Sequence, residues 1–320
     1  MKQNRIFLFL IIILSTIISF VFFSTFQDTP ISNSTEKIHV VSSFYPYYEF
    51  TRNIVGDHAT VTQYLPNGVE PHDWEPSAVK IQSLIDTDVF VYNGLGMESY
   101  VDNIQTSGEF GNLIFIKASD NLKLLSTSAE QTVTSDFHFL AQENLKFDPH
   151  IWLDPILVQQ QVNNIRDGLI QSDPVNTNFY TENALQYNEK LNSLDAKIIS
   201  ELSSCKKDTL VSFHNAFAYL GQRYAIKIVA LSGLAPDSEI TATKIAQLID
   251  YIKNNDIKII FAEELVDPRL AQVIAEETGT QILILSPIEG LTPQEASVGM
   301  TYIEKMEQNL DLLKIALECT

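Results

Sequence analysis

The chain has 320 residues, about two domains at the usual size, and its 45% hydrophobic and 19% charged content excludes long disordered or low-complexity tracts. Acidic residues number 40 against 21 Lys and Arg, a net charge of −19 with no basic stretch, which argues against a nucleic-acid binder or a protein held to anionic lipid by a basic patch. Two cysteines, Cys205 and Cys319, are too few for a disulfide scaffold or a thiolate zinc site.

At the N-terminus Lys2 and Arg5 precede an apolar run over residues 6–26. It is longer than the ~7 to 15 residues of a signal-peptide core and close to the ~20 that span a bilayer, so an export segment kept as an uncleaved anchor is expected in preference to a cleaved signal. Its positive end stays inside, which puts everything after Gln27 on the extracytoplasmic side. No cysteine follows the run to take a lipid, and the Ser-, Thr- and Pro-containing residues 28–36 form a tether.

From Lys37 onward β-branched and aromatic runs alternate with helical patterns. The first half predicts strands over 38–44, 60–65, 89–92 and 113–116, with helices over 48–55, 77–86 and 100–104. A different pattern follows over 176–204: Leu185, Leu191, Leu194, Ile198 and Leu202 fall at helical spacing with no Gly or Pro, a rod of roughly 43 Å able to connect two lobes. The second half predicts strands over 209–213, 226–231, 257–262 and 281–285, and helices over 216–224, 241–254, 268–278 and 293–317. Strands alternating with helices imply parallel sheets covered on both faces, hence an α/β fold of two lobes. The expected organisation is an anchor and tether over 1–36, an N-terminal lobe over 37–175, a connecting helix over 176–204 and a C-terminal lobe over 205–320. Outside the cell Cys205 and Cys319 can pair or remain two buried thiols; their positions do not decide it.

Six histidines occur: His39, His58, His72, His138, His150 and His214. Three sit where α/β lobes carry ligands, beyond strand C-termini. His72 lies in the loop LPNGVEPHDWEPS, stiffened by Pro66, Pro71 and Pro76; His150 lies in FDPHIWLDP; His214 ends the strand TLVSF. Singly each suits a loop or core histidine. Together, two from the first half and one from the second, they can converge on one cleft between the lobes. Three neutral imidazoles with a carboxylate make an N₃O set suited to Zn²⁺, and Glu289, in a Pro-Gly loop past the last strand, is the candidate carboxylate.

These residues resemble the extracytoplasmic solute-binding proteins of zinc and manganese ABC transporters. The resemblance is carried by SFYPYYEFTRNIVGD, VEPHDWEPSAVKIQSLIDTDVFVYNGLGME, DPHIWLDP, VSFHNAFAYLGQRYAI and IIFAEELVDPRLAQVIAEETG, and extends over residues 37–317. It implies two α/β lobes joined by a long helix, with the metal held in the interlobe cleft by His72, His150 and His214. At the fourth place the family's frequent D-P-L-G is replaced by Ser286-Pro287-Ile288-Glu289; a subset of zinc-type members supplies Glu three residues later, and Glu289 matches it, with Ser286 or water as fallbacks. Histidine at the third place is zinc-like, and oxygen at the fourth keeps Mn²⁺ in view. The stretch 126–146, where many zinc-type members have a His-rich loop, holds only His138, expected to be solvated.

The implied function is capture of Zn²⁺, with Mn²⁺ as the alternative cargo, and its delivery to a membrane permease by a monomer that is not an enzyme. Two other classes compete: a zinc hydrolase on the same histidines, and a surface adhesion protein with a structural zinc. No helix-borne H-E-x-x-H and no G-x-S-x-G occurs. Glu75 suits a start for the helix at Pro76 better than a general base. Glu263, at the end of its strand, is the candidate to orient an imidazole. The long helix should resist hinge bending, so a modest lobe shift or loop ordering is expected on binding.

Overall fold

In the computed structural model the described residues are 37–127, 145–236 and 240–320; the N-terminal apolar run, the tether and His138 lie outside them. The first sheet contains β1 (His39–Ser42), β2 (Thr60–Gln63), β3 (Val89–Tyr92) and β4 (Ile114–Lys117) in the order β2-β1-β3-β4; the second contains β5 (Thr209–Ser212), β6 (Lys227–Ala230), β7 (Ile259–Ala262) and β8 (Gln281–Ile284) in the order β6-β5-β7-β8. Every pairing is parallel. The central strands read as unbroken apolar runs because helices cover both faces: Val40, Val89, Phe90 and Val91 are fully buried. Edge strand β2, by contrast, alternates exposed and half-buried residues.

Each sheet repeats one topology, so each reverses strand order between its first and third strands. Loops at the C-terminal ends beside such a reversal form the crevice where open α/β sheets bind ligands. The helices of the first half are α1 (Tyr45–Val55), α2 (Ala78–Gln82) and α3 (Tyr100–Thr106). Residues 155–172, unassigned from the sequence, form an 18-residue helix, α4 (Pro155–Ser172). Asp154 caps it by accepting from the Ile156 and Leu157 amides, Pro155 stands in its first turn, and Val158, Val162, Ile165 and Leu169 supply a buried stripe.

The connecting helix α5 (Thr177–Leu202) is unbroken for 26 residues, about 39 Å. Its buried stripe is Tyr180, Ala184, Tyr187, Leu191, Leu194 and Ile198, spaced by three and four. Leu185, expected in that stripe, is 55% exposed, since six residues before Leu191 lies about 120° round the helix from it, off the buried face. One end is held to the first lobe by the Asn183 amide donating to Ile54 O at 3.0 Å. Farther along, Asp195 receives a two-pronged Arg223 guanidinium, at 2.9 and 2.6 Å, and the Tyr224 hydroxyl.

The second half adds α6 (Ala218–Tyr224), α7 (Ala242–Asn254), α8 (Arg269–Thr278), α9 (Pro293–Val298) and α10 (Tyr302–Ala316). The single helix expected over 293–317 is thus two. Gly299, at φ +71°, ends the first, and reciprocal capping boxes, Thr292 with Glu295 and Thr301 with Glu304, start each. Helix α10 reaches the first lobe, where Tyr302 packs edge-on against Phe50 and donates to Trp152 O at 2.6 Å. Cys205 and Cys319 form a disulfide across 114 residues of sequence. Among the described residues no helix is long and apolar enough to cross a membrane.

Candidate metal centre

His72 is carried by the loop after β2. Gly68, at φ +79°, donates its amide to Leu291 O at 2.9 Å, which ties this loop to the one bearing Glu289. Both Glu70 carboxylate oxygens receive the His72 amide, at 3.1 and 3.0 Å. Trp74 packs edge-on against Tyr64 and Tyr100 and fixes the far side of the loop. Glu75 does not cap α2: Ser77 does so by accepting from the Lys80 amide, while Glu75 receives the Ser99 hydroxyl, because a serine hydroxyl at the N-cap reaches the N3 amide directly.

His150 stands after β4, just before the turn Ile151–Leu153. Asp148 Oδ1 accepts from both its backbone N, at 2.9 Å, and its Nδ1, at 2.7 Å. That carboxylate fixes the ring's tautomer and turns Nε2 toward the cleft. The segment itself is anchored from both lobes: Asn93 Nδ2 donates to Pro149 O, and the Tyr219 hydroxyl donates to Asp148 O. His214 lies two residues past β5, and its Nδ1 is 2.7 Å from Glu263 Oε2, close enough for an ion pair although the angle falls short of a hydrogen bond. Glu263 directly follows β7, so the two strands flanking the reversal of the second sheet deliver a ligand candidate and its partner.

The four expected residues come together. Glu289 Oε1 is 3.2 Å from His72 Nε2, 3.1 Å from His150 Nε2 and 3.7 Å from His214 Nε2. His150 Nε2 is 3.2 Å from His72 Nε2 and 3.4 Å from His214 Nε2, and all four donor atoms lie within 4.8 Å of one another. A tetrahedral zinc with ligands at about 2.05 Å would set its donors about 3.3 Å apart, a spacing near the five measured ones. The side chains are 6% exposed for His72, 3% for Glu289 and fully buried for His150 and His214. Ser286, a fallback for the fourth place, turns its hydroxyl instead toward Glu264 and the Ile288 amide.

The electrostatics suit a bound divalent cation. Burial alone would raise the Glu289 carboxyl, but His72, His150 and His214 outweigh it and hold it well below the usual range. Burial alone would lower His150 and His214, yet Asp148 and Glu289 raise the first, and Glu263 and Glu289 raise the second well above an ordinary imidazole. Burial raises Glu70, against the pull of His72. Protons therefore compete for a donor set that a divalent ion would satisfy. A cavity of about 610 Å³ is lined by Val69, Glu70, Trp74, Phe213, Leu265 and Asp267, among them the sequence neighbours of His72 and His214.

The other two described histidines lie outside the cluster: His39 meets Thr62 Oγ1, and His58 meets Asn176 Oδ1 and stacks on Phe179. Asp148 and Glu70 were not singled out in the sequence, although a carboxylate two residues before each histidine is visible in both motifs.

Residues 40–316 match the model of the zinc-uptake complex component A, periplasmic, family. The chain belongs to this family. It is 38% identical over 282 residues to the high-affinity zinc uptake system protein ZnuA of Bacillus subtilis, with 88% of each chain covered. It also resembles the Zn(II)-bound ZnuA-like domain of Streptococcus pneumoniae AdcA, at 36% identity and a TM-score of 0.74, covering 88% of this chain and 99% of that domain; it spans 55% of the full-length zinc-binding lipoprotein AdcA. The laminin-binding protein Lmb of Streptococcus agalactiae, described as having adhesin and metal-transporting activity, is 30% identical with a TM-score of 0.75, over 88% of this chain and 99% of that one. The family match includes both sheets, α5 and all four clustered residues.

Proposed function

We propose that the protein is the extracytoplasmic zinc-binding component of an ABC importer, in which Nε2 of His72, His150 and His214 and Oε1 of Glu289 hold one Zn²⁺ for delivery to a membrane permease. The observation that carries this is the buried convergence of three imidazole nitrogens and one carboxylate oxygen at the spacing of a four-coordinate shell. Three nitrogens favour Zn²⁺ over Mn²⁺, which prefers oxygen. Four protein donors close the shell, whereas a hydrolytic zinc keeps a position for water, so binding is favoured over hydrolysis. The folded lobes sit outside the cytoplasm as a monomer, tethered by the N-terminal apolar run, with lobe boundaries near residues 175 and 205.

Native mass spectrometry of protein purified without added metal should find one zinc per chain, and none when His72, His150 and His214 are all replaced by Ala. Stoichiometric zinc retained by that variant would refute the site. The likeness to the laminin-binding protein supports one second function, adhesion, which predicts saturable binding of the zinc-loaded protein to immobilised laminin.

A further inference from the structure

Glu289 reaches the cluster from an unusual loop. Between β8 and α9 every residue from Leu285 to Leu291 is buried, and Ile288, immediately before Glu289, has φ +58°. A β-branched residue adopts that conformation only where its surroundings enforce it. The enforcing groups are on the C-terminal helix. Asn309, 2% exposed, accepts the Ser286 amide at 3.0 Å and donates to Ser286 O at 2.7 Å. Lys305, 4% exposed, bridges Glu264, at 2.9 Å, and Glu295, at 2.7 Å. Glu264 in turn receives the Ser286 hydroxyl, which itself accepts the Ile288 amide at 3.1 Å. Trp152, two residues past His150, donates to Pro287 O at 2.7 Å.

Two adjacent carboxylates at the end of β7 thus face opposite ways, Glu263 toward His214 and Glu264 toward Lys305 and Ser286. The polar partners of Asn309, Lys305 and Glu264 are Ser286, Glu295 and one another, not the four donor atoms. We infer that Asn309 and Lys305 are positioning residues for metal binding: from α10 they clamp Ser286 and hold the strained turn at Ile288, and so aim the Glu289 carboxylate at the three histidines. The inference rests on Glu289 being a ligand. It makes the last helix, which contains no ligand, a determinant of whether the fourth donor is present.

The test is a double-mutant cycle on the full chain, with zinc affinity read by competition against a chromophoric chelator. Glu289→Ala and Asn309→Ala should each weaken binding, the latter by about 10- to 100-fold as for other groups that orient a ligand. The double variant should bind no more weakly than Glu289→Ala alone, because Asn309 acts only through Glu289. Cobalt bound to Asn309→Ala should give the visible spectrum of the Glu289→Ala form. Wild-type affinity or a wild-type cobalt spectrum in Asn309→Ala would overturn the inference, as would full additivity in the double variant. Wild-type affinity in Glu289→Ala would remove the ligand assignment itself, an outcome visible without Asn309. If Asn309→Ala fails to fold, Asn309→Asp, which keeps the acceptor and loses the donor to Ser286 O, enters the same cycle with the same criteria.

Discussion

Glu263→Gln isolates the electrostatic part of zinc binding, because it preserves the shape of a side chain that is 3% exposed and removes only its charge. In the native protein that carboxylate lies 2.7 Å from His214 Nδ1, and burial leaves no water to replace it. Loss of such a partner to a ligating histidine costs about 10- to 100-fold in metal affinity, or about 1.4 to 2.7 kcal/mol. The pH dependence makes the prediction sharper. Glu263 is the largest of the groups raising the His214 imidazole, against the opposing effect of burial. Without it His214 loses its proton more readily and competes less with zinc in acid. The affinity ratio of native protein to Glu263→Gln should therefore be largest near pH 8 and shrink toward pH 6, as the native imidazole increasingly binds protons instead of metal. Chelator competition at several pH values measures the ratio directly. A ratio of one at pH 8, or a ratio that grows as the pH falls, would refute the orienting role and the sign of the linkage together.

Three further outcomes concern stability. Glu98, buried at the end of β3 where it accepts from the Asn93 and Gly94 amides, has its carboxyl raised to about 7 by burial; the folded protein then favours the protonated form. That contribution is complete below the unfolded value near 4.5 and lost as pH rises through 7, so Glu98→Gln should flatten the pH 5 to 8 stability profile by about 2.5 kcal/mol in urea unfolding. Gly221→Ala should destabilise by about 1 to 3 kcal/mol, although helix propensity alone predicts a gain near 1, because the new Cβ would stand 2.6 Å from Ile226 O; a raised melting temperature would contradict the packing. Replacing Cys205 and Cys319 by Ser should cost about 2 to 5 kcal/mol in the same denaturant assay, and an unchanged midpoint would show that the unfolded chain gains nothing from release.

The elements most legible in the sequence were those with strong periodicity and visible punctuation. The central strand over 89–92 has both ends where the apolar run has them, and α5 follows from an uninterrupted helical pattern. Helix α4 is hard to read from periodicity although Asp154 and Pro155 mark its start, because its polar residues, among them Gln159, Asn163 and Asn164, dilute the stripe. Likewise Gly299 falls inside a pattern that remains helical on either side, and only the two T-x-x-E boxes reveal a restart. The convergence of the three histidines and Glu289 could be anticipated because loop position after a strand is a local property. The roles of Asn309, Lys305 and Trp152 could not, since they arise from contacts between segments 20 to 150 residues apart that periodicity does not encode. The cysteine pairing belongs to the same class.

That pairing changes the covalent topology of the second lobe. With Cys205 joined to Cys319, nearly everything beyond the connecting helix is one macrocycle entered and left at the same point, the foot of α5. A single proteolytic cut anywhere in its circumference opens the ring without releasing a piece. A clipped protein would keep its intact mass on a non-reducing gel and separate into two bands only after thiol treatment, so damage in the exposed loops of this lobe does not by itself detach Glu289 from the histidines of the other.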